Sequence, residues 1–353
     1  MRDARTYKAV SVWLAIGCIL VLIQILIGGI TRLTDSGLSI TEWSVIKGTL
    51  PPLNEAEWQG SFEKYKVFAK KQYESIHRDM SLSEFKVIFF WEYFHRLWAR
   101  MMGFVFIIPF IYFLLRKKLS TKLIRRLGVV ILLASLSAMF GWLMVASGLN
   151  DDKRTWVNAY NLLIHLILAT SLFSYLSYTF YGYAAGKMES RIEVEERGFL
   201  KLLGIVLVIQ IGMGALMAGM KAALVFPYPF MLLKYDIARE IWNSSPPIVW
   251  HHWIDYEPNP NVKLLIQIFH RATAYLLFFG SIWFFIVNRV KMFMAPSCFI
   301  FFIVLLIQVA LGIFTVSYSQ GKIPVVLGVV HQFVAFILLA SYLWILYSSR
   351  KRR

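Results

Sequence analysis

The chain has 353 residues, of which 58% are hydrophobic and only 16% are charged, and its mean hydropathy is +0.60. These values exclude an ordinary water-soluble globular domain, in which about 25% of the residues are charged. The 37 lysines and arginines outnumber the 20 aspartates and glutamates, so their distribution must distinguish a nucleic-acid-binding protein from a membrane protein.

Eight apolar segments follow one another along the chain. Each is long enough to cross a hydrocarbon core of ~30 Å, which takes roughly 20 helical residues. Helices are expected because a backbone exposed to lipid must satisfy its own hydrogen bonds. The predicted spans are 9–31, 87–115, 127–148, 158–183, 199–220, 262–288, 296–319 and 322–347. The first is too long for the apolar region of a signal peptide, and we expect a retained helix.

The basic residues follow the positive-inside rule. Nineteen of them lie at the N-terminus and in 116–126, 184–201, 289–291 and 350–353, whereas the short loops 149–157 and 320–324 on the opposite side hold three. We therefore expect both termini in the cytoplasm and no nucleic-acid partner. Nothing at the N-terminus resembles an organellar presequence, which favours a multi-pass protein of a bacterial cell inner membrane, surrounded by lipid.

The loops indicate an internal repeat. On the outer side two long loops, 32–86 and 221–261, alternate with short ones. The pattern predicts an all-α membrane protein whose eight helices form two four-helix bundles, 1–190 and 191–353, related by a pseudo-twofold axis along the membrane normal. The sequence Gln-x-x-x-Gly recurs in three odd-numbered helices, at Gln24–Gly28, Gln210–Gly214 and Gln308–Gly312. Such small residues suit close helix packing.

One histidine lies in each even-numbered predicted helix. These are His95, His165, His270 and His331. Each follows its predicted helix start by about 7 to 9 residues, so we expect a common depth of roughly 10–14 Å. Two imidazoles on facing helices can hold one haem iron from both sides, whereas a Zn or Cu site would need further ligands. The alternative for any one histidine is a hydrogen bond to a neighbouring helix.

Polar residues accompany two of these histidines. Glu92 lies about one turn before the first of them, where the second unit has Gln267. The first site is thus suited to moving protons or stabilising a cation, and the second to holding a cofactor. Alternatively, Glu92 forms only a structural salt bridge with Arg96 or Arg100. Arg96 and Arg271 are candidate partners of haem propionates or of protein carboxylates.

The remaining reactive residues carry no assigned function. Cys18 and Cys298 lie in predicted helices and are expected to be small apolar core residues, so neither a disulfide nor a cysteine metal site is predicted. His77, His251 and His252 lie in the long loops. We expect the loop that carries the histidine pair to be a solvated interface loop.

Several motifs occur together in an order that is typical of one membrane-protein family. They are the stretch GGITRLTDSGLSITEW at 28–43, Lys47-Gly48, Pro51-Pro52, EYFHR at 92–96, His165, His270-Arg271 and His331-Gln332. Over nearly the whole chain they resemble the haem A synthases, in the branch that includes the mitochondrial enzymes. Some bacterial members of that family carry a cysteine pair in the outer loops. This chain has none there, so their thiol chemistry is not expected here.

The resemblance implies that the ring-D methyl group of haem O is oxidised to a formyl group, giving haem A for cytochrome oxidase. It also implies that His270 and His331 hold a resident haem B, that His95 and His165 hold the substrate haem, and that Glu92 is the catalytic carboxylate. The expected partners are haem O synthase, cytochrome oxidase assembly factors and an unidentified electron-transfer partner.

Two other functions would use the same ligands. A bis-histidine b-type cytochrome transfers electrons across the membrane, which favours haems near opposite faces, whereas all four histidines here are predicted near one face. A non-catalytic haem carrier or assembly factor would bind haem without needing the carboxylate of Glu92.

Overall fold

The computed structural model of the protein describes residues 4–42, 49–149, 155–184, 192–194, 196–288 and 295–351. Eight long apolar helices in these ranges are candidate membrane spans. They are α1 (Ala4–Leu33), α2 (Leu82–Leu115), α3 (Thr121–Ala146), α4 (Ala159–Ala184), α5 (Arg197–Gly219), α6 (Pro260–Val287), α7 (Pro296–Ser317) and α8 (Val325–Ser348). The prediction of eight spans is confirmed, with ends that differ by up to six residues.

Polar caps set where two of the helices begin. The Ser81 hydroxyl accepts from the backbone N–H of Glu84, and the Glu84 carboxylate accepts from the backbone N–H of Ser81. This capping box starts α2 before its apolar run begins. The Asn259 side chain accepts from the first turn of α6, in which Pro260 is the first residue.

The packing of the helices repeats with a period of four. Within the first half α1 packs against α2 and α4, and α3 packs against α4; α5, α6, α7 and α8 pack in the same way in the second half. Between the halves α1 contacts α8, α5 contacts α4, and α4 meets α8 at the centre. This set is unchanged when each helix is exchanged for the one four further along, as a pseudo-twofold axis requires.

The largest apolar core joins the two halves. Phe173 of α4 packs edge-on against Phe336 of α8, with ring centroids 5.7 Å apart. Leu14 of α1 and Leu207 of α5 are buried in the same core. Phe104 of α2, in contrast, is 66% exposed and faces outward, as expected for a side chain that contacts lipid.

Both long loops contain short helices. The first has helices Glu55–Phe68 and Lys70–Ile76, and the second has helix Tyr235–Ser244. Tyr65 and Phe85 are fully buried in a small core that packs the first pair of short helices against the start of α2. We refer to this end of the bundle as the loop end.

An ion pair joins the halves at the loop end. Asp35 and Lys221 each lie seven positions after the glycine of a Gln-x-x-x-Gly motif, and both have left-handed φ values, 54° and 48°. Their side chains meet at 3.0 Å. Arg32 donates to the carbonyls of Ala218 and Gly219 at the end of α5. Equivalent positions of the repeat thus contact each other, which places this pair beside the pseudo-twofold axis.

Two short strands add to the helical fold. β1 (Ile192–Val194) pairs in parallel with β2 (Ser349–Lys351), at the end of the bundle opposite to the loop end. The sequence pattern does not predict these strands. The predicted boundary between the two units, at residues 190 and 191, lies outside the described residues.

Candidate functional site

All four helix histidines line one cavity of about 1180 Å³. Ligand sites typically occupy ~300–1,000 Å³, so this cavity has room for a large ligand. His95 and His165 lie close enough to interact electrostatically, and so do His270 and His331. The structure therefore brings together one pair of imidazoles in each unit.

The histidines do not lie at equal distances from the starts of their helices. His165 and His331 follow the first residue of their helices by six positions, whereas His270 follows by ten and His95 by 13. The sequence-based expectation of a common count of 7 to 9 residues is wrong. Its reason is that α2 and α6 extend beyond their apolar runs at the loop end, where polar residues cap them.

Each histidine lies against a glycine of the preceding helix. The closeness of each pair is measured from an ideal Cβ, built on the glycine, to the nearest atom of the histidine ring. The distances are 3.1 Å for Gly28–His95, 3.0 Å for Gly141–His165, 3.7 Å for Gly214–His270 and 3.1 Å for Gly312–His331. In three of the pairs even a methyl group would press on the ring. The glycines therefore make room for the imidazoles, a more specific role than the close helix packing expected from the sequence.

In the first unit, the residue four positions before each of these glycines contacts the histidine that packs against that glycine. The carbonyl oxygen of Ser137 lies 2.9 Å from Nδ1 of His165. A proton on Nδ1 that is donated to this carbonyl leaves Nε2 available as a ligand atom. Gln24 donates from Nε2 to the backbone carbonyl of His95 at 3.2 Å.

In the second unit the corresponding glutamines contact the rings themselves. Nε2 of Gln210 lies 3.3 Å from both ring nitrogens of His270, and Nε2 of Gln308 lies 3.4 Å from Nε2 of His331. Thr273 donates to Oε1 of Gln210 and so orients its amide. Glutamines of α5 and α7 therefore position the two imidazoles.

Glu92 is 2% exposed and lines the same cavity. Its Oε2 accepts from the hydroxyl of Ser39 at 2.7 Å and from the backbone N–H of Ile40 at 2.8 Å. Its Oε1 accepts from Arg96 at 2.5 Å, and Arg96 also donates to the carbonyls of Ile40 and Glu42. The salt bridge considered as a structural alternative is present, and it attaches the first long loop to α2.

The second unit repeats this attachment without a carboxylate. Arg271 donates to Oε1 of Gln267 at 2.8 Å and to the carbonyl of Phe226 at 3.3 Å. Gln267 donates in turn to the carbonyl of Ala222. Both arginines thus hold the start of a long loop, and only the first does so through a protein carboxylate.

The donors of the second unit fit a haem with two imidazole ligands. Among the described residues no cluster of three or more His, Cys, Asp or Glu residues could hold a bare metal ion. Oε1 of Gln308 and Nη1 of Arg271 are buried without a hydrogen-bond partner in the part of the chain that the structure describes. Such atoms point to a ligand or an ordered water. An iron between imidazoles and a propionate beside a guanidinium would suit this set.

The other reactive residues lie outside the cavity wall. His77 is half-buried at the loop end, and burial lowers its pKa. His251 and His252 form part of the 3₁₀ turn Trp250–Trp253, in which His252 accepts from the backbone N–H of Val249. Cys18 and Cys298 are free, and the latter is buried in the apolar core.

Comparison with known proteins identifies the family. The protein-family model COX15-CtaA, described as cytochrome oxidase assembly protein, matches residues 11–343. This chain belongs to the COX15-CtaA haem A synthase family. A protein of Flavobacterium psychrophilum named heme A synthase is 36% identical over 349 residues, which cover 98% of this chain and 99% of the relative. A protein of the same name from Ehrlichia ruminantium (strain Gardel) is 38% identical over 339 residues, 96% of this chain and 92% of the relative.

A third relative named heme A synthase, from Wolbachia pipientis wMel, is 35% identical over 347 residues, which cover 98% of this chain and 94% of the relative. No solved structure matches the chain significantly. These relatives are therefore matched over nearly their whole length.

Proposed function

We propose that this protein is a haem A synthase, an oxidoreductase that converts the ring-D methyl group of haem O into the formyl group of haem A. The observation that carries the proposal is the presence of two buried imidazole pairs in one cavity, within a membrane protein of this family. The change from a methyl to a formyl group is a four-electron oxidation. Its oxygen atom comes from water or dioxygen, and with water the four electrons and four protons that are released require an electron acceptor.

The two imidazole pairs are assigned to different haems. His95 and His165 would bind the substrate, and His270 and His331 would bind haem B. The assignment is supported by the unequal polar residues beside the two sites, because Glu92 in the first unit corresponds to an uncharged amide in the second. A carboxylate is needed where charge develops, and an amide suffices where a cofactor is only held.

The protein's own residues orient the substrate and balance charge beside it. His165, held through Nδ1 by the Ser137 carbonyl, keeps Nε2 as the ligand atom and fixes the substrate plane. Glu92, held by Ser39 and Arg96, can stabilise positive charge that develops at the oxidised carbon and accept a proton from it. Haem B, when bound, supplies a centre for electron transfer between the substrate and a redox partner.

The setting of the reaction is also proposed. The distribution of basic residues supports a bacterial inner membrane with both termini in the cytoplasm. The repeated packing supports two units, 1–190 for the substrate and 191–353 for haem B. The proposed partners are haem O synthase, which makes the substrate, cytochrome oxidase assembly factors, which use the product, and an electron-transfer partner.

Replacing each helix histidine with alanine tests the assignment. Protein purified from cells that supply haem O is extracted, and its haems B, O and A are measured. We expect His270→Ala and His331→Ala to lose haem B. His95→Ala and His165→Ala should retain haem B but form no haem A. Loss of haem B from the second pair of variants would contradict the assignment, and a colourless wild-type protein would contradict the proposed function.

Replacing Glu92 separates catalysis from haem carriage. Glu92→Gln retains the size of the side chain and an acceptor for Arg96, as Gln267 does for Arg271, but it removes the negative charge. We expect haem A formation to fall by about 10²-fold or more, with haem B content unchanged. The control Ser39→Ala removes one donor to the carboxylate and should lower stability by about 1 kcal/mol. Wild-type haem A yield in Glu92→Gln would leave Glu92 only its structural role.

A further inference from the structure

The two units differ along the cavity wall formed by their second and third helices. Aligning His95 with His270, and Gly141 with Gly312, pairs the wall positions of the repeat. The equivalent residues are Gly103 and Phe278, Ala134 and Leu305, and Ala138 and Val309, and all six line the cavity. At these three positions the first unit carries the smaller residue. Nearer the loop end the order is reversed, because Trp142 and Met144 of α3 correspond to the smaller Ile313 and Thr315 of α7.

The exposure of these residues also differs between the two units. Gly103, Ala134 and Ala138 are exposed, and a Cβ on Gly103 would meet no atom within 4 Å. In the second unit Leu305 is 2% exposed and Phe278 packs against the main apolar core. The first unit thus has an open apolar cleft between α2 and α3, whereas side chains fill the equivalent space in the second unit.

The cleft extends from the imidazole pair away from the loop end. Gly103 follows His95 by eight positions, which corresponds to ~12 Å along α2. Ala138 lies about one turn before Gly141 in α3, on the same side of the histidine pair. Arg96, in contrast, lies toward the first loop. The first site therefore has a charged end and, beyond its imidazoles and the cavity-lining Arg100, an apolar extension.

We propose that this cleft binds the isoprenoid side chain of the porphyrin substrate, a proposal that rests on the function proposed above. Haem O carries a hydroxyethylfarnesyl chain on the edge of the porphyrin opposite to its propionates, and haem B lacks that chain. An apolar extension opposite to an arginine matches this distribution. Gly103 and Ala138 then determine that the first unit accepts the prenylated haem, and Phe278 and Val309 fill that space in the second.

The test transfers residues of the second unit into the first. Gly103→Phe and, as a milder change, Ala138→Val are made in protein whose second site holds haem B. Haem O and then haem B are titrated into the first site and followed by absorption. We expect affinity for haem O to fall about tenfold or more, because apolar contacts of the chain are lost, and affinity for haem B to stay within about twofold.

Gly128→Phe is the matched control. Gly128 is an exposed glycine of α3 with no atom within 4 Å of a built Cβ, and it does not line the cavity. The Gly128→Phe variant should leave the affinities of the first site for haem O and haem B unchanged. Retention of haem B at the second site reports that each variant is folded. Unchanged haem O affinity in both Gly103→Phe and Ala138→Val would overturn the proposal. Equal weakening of both haems would also overturn it.

The failure of this proposal is distinguishable from failure of the proposed function. If the wild-type protein binds haem O through His95 and His165 and forms haem A, but the cleft variants bind it equally well, only the subsite is wrong. If the wild-type protein neither binds haem O at this pair nor forms haem A, the function itself is wrong.

Discussion

His77 couples the first long loop to the cavity through a short series of hydrogen bonds. Its Nδ1 lies 2.6 Å from the hydroxyl of Tyr65, which donates to Oε1 of Gln72 at 3.0 Å. Gln72 lines the cavity and donates to the backbone carbonyl of Asp35 at 3.3 Å. The short helices of the loop are therefore fixed to the residue that follows α1.

Acid should loosen this loop. Burial lowers the pKa of His77, more than the neighbouring carboxylates of Asp35 and Glu84 raise it, and Lys221 lowers it further. His77 therefore binds a proton more tightly in the unfolded segment, where a histidine has a pKa of about 6.5, than in the folded one. Stability of the loop helices is thus expected to fall as pH drops below about 6.5. Hydrogen exchange of residues 55–76 at pH 7.5 and 5.5 measures this.

The matched variant is His77→Gln, which removes the titrating group and keeps a polar side chain next to Tyr65. Its exchange should change little between the two pH values. The same acid-induced increase in His77→Gln and in the wild-type protein would assign the effect to another group.

At the scale of elements, the contacts between neighbouring helices depend on single glycines. In the second unit the two glycines differ, since a Cβ on Gly312 would lie 3.1 Å from the His331 ring and one on Gly214 would lie 3.7 Å from the His270 ring. The first distance is too short for an ordinary contact, and the second is not. A methyl group at position 312 therefore requires the His331 ring to shift by a few tenths of an ångström, whereas one at position 214 leaves the His270 ring in place.

Gly312→Ala is consequently expected to lower haem B content well below that of Gly214→Ala, which should bind haem B as the wild-type protein does. Both changes raise helix propensity equally, by about 1 kcal/mol, so the comparison isolates the contact with the ring. Haem extracted per mole of folded protein is the measurement. Equal haem B content in the two variants would show that the α7–α8 contact relaxes without moving His331.

The helices could be predicted from the sequence because crossing a membrane requires length and apolar composition, both of which are local properties. The positions of the histidines along α2 and α6 could not, because Ser81 and Asn259 cap these helices outside the apolar runs. Likewise, Gln-x-x-x-Gly was visible as a repeat, but its contact with the histidines arises from tertiary packing. The contact of Ser137 with His165 cannot be predicted from a side-chain pattern, because the backbone carbonyl of Ser137 makes it.

At the scale of the whole molecule, the internal repeat explains why equivalent residues meet at the loop end. Asp35 and Lys221 occupy the same position of their units, and a twofold axis brings such positions together when they lie close to it. Identical charges there would repel, whereas the opposite charges of Asp35 and Lys221 attract. Burial lowers the pKa of Lys221, more than the ion pair with Asp35 raises it, so burial of this charge opposes folding. The repeat has therefore diverged where its copies touch.

Exchange of these charges tests that argument. Asp35→Lys places a second cation beside Lys221 and Arg32, and we expect the free energy of unfolding to fall by about 2 kcal/mol. Adding Lys221→Asp should recover part of this loss, because the left-handed backbone already holds a lysine at one of the two equivalent positions. Recovery remains partial since Arg32 also loses Asp35, with which it pairs at 3.4 Å. Thermal unfolding in detergent of both single variants and the double variant gives the coupling energy. Additive losses would show that the two halves are held together without this ion pair.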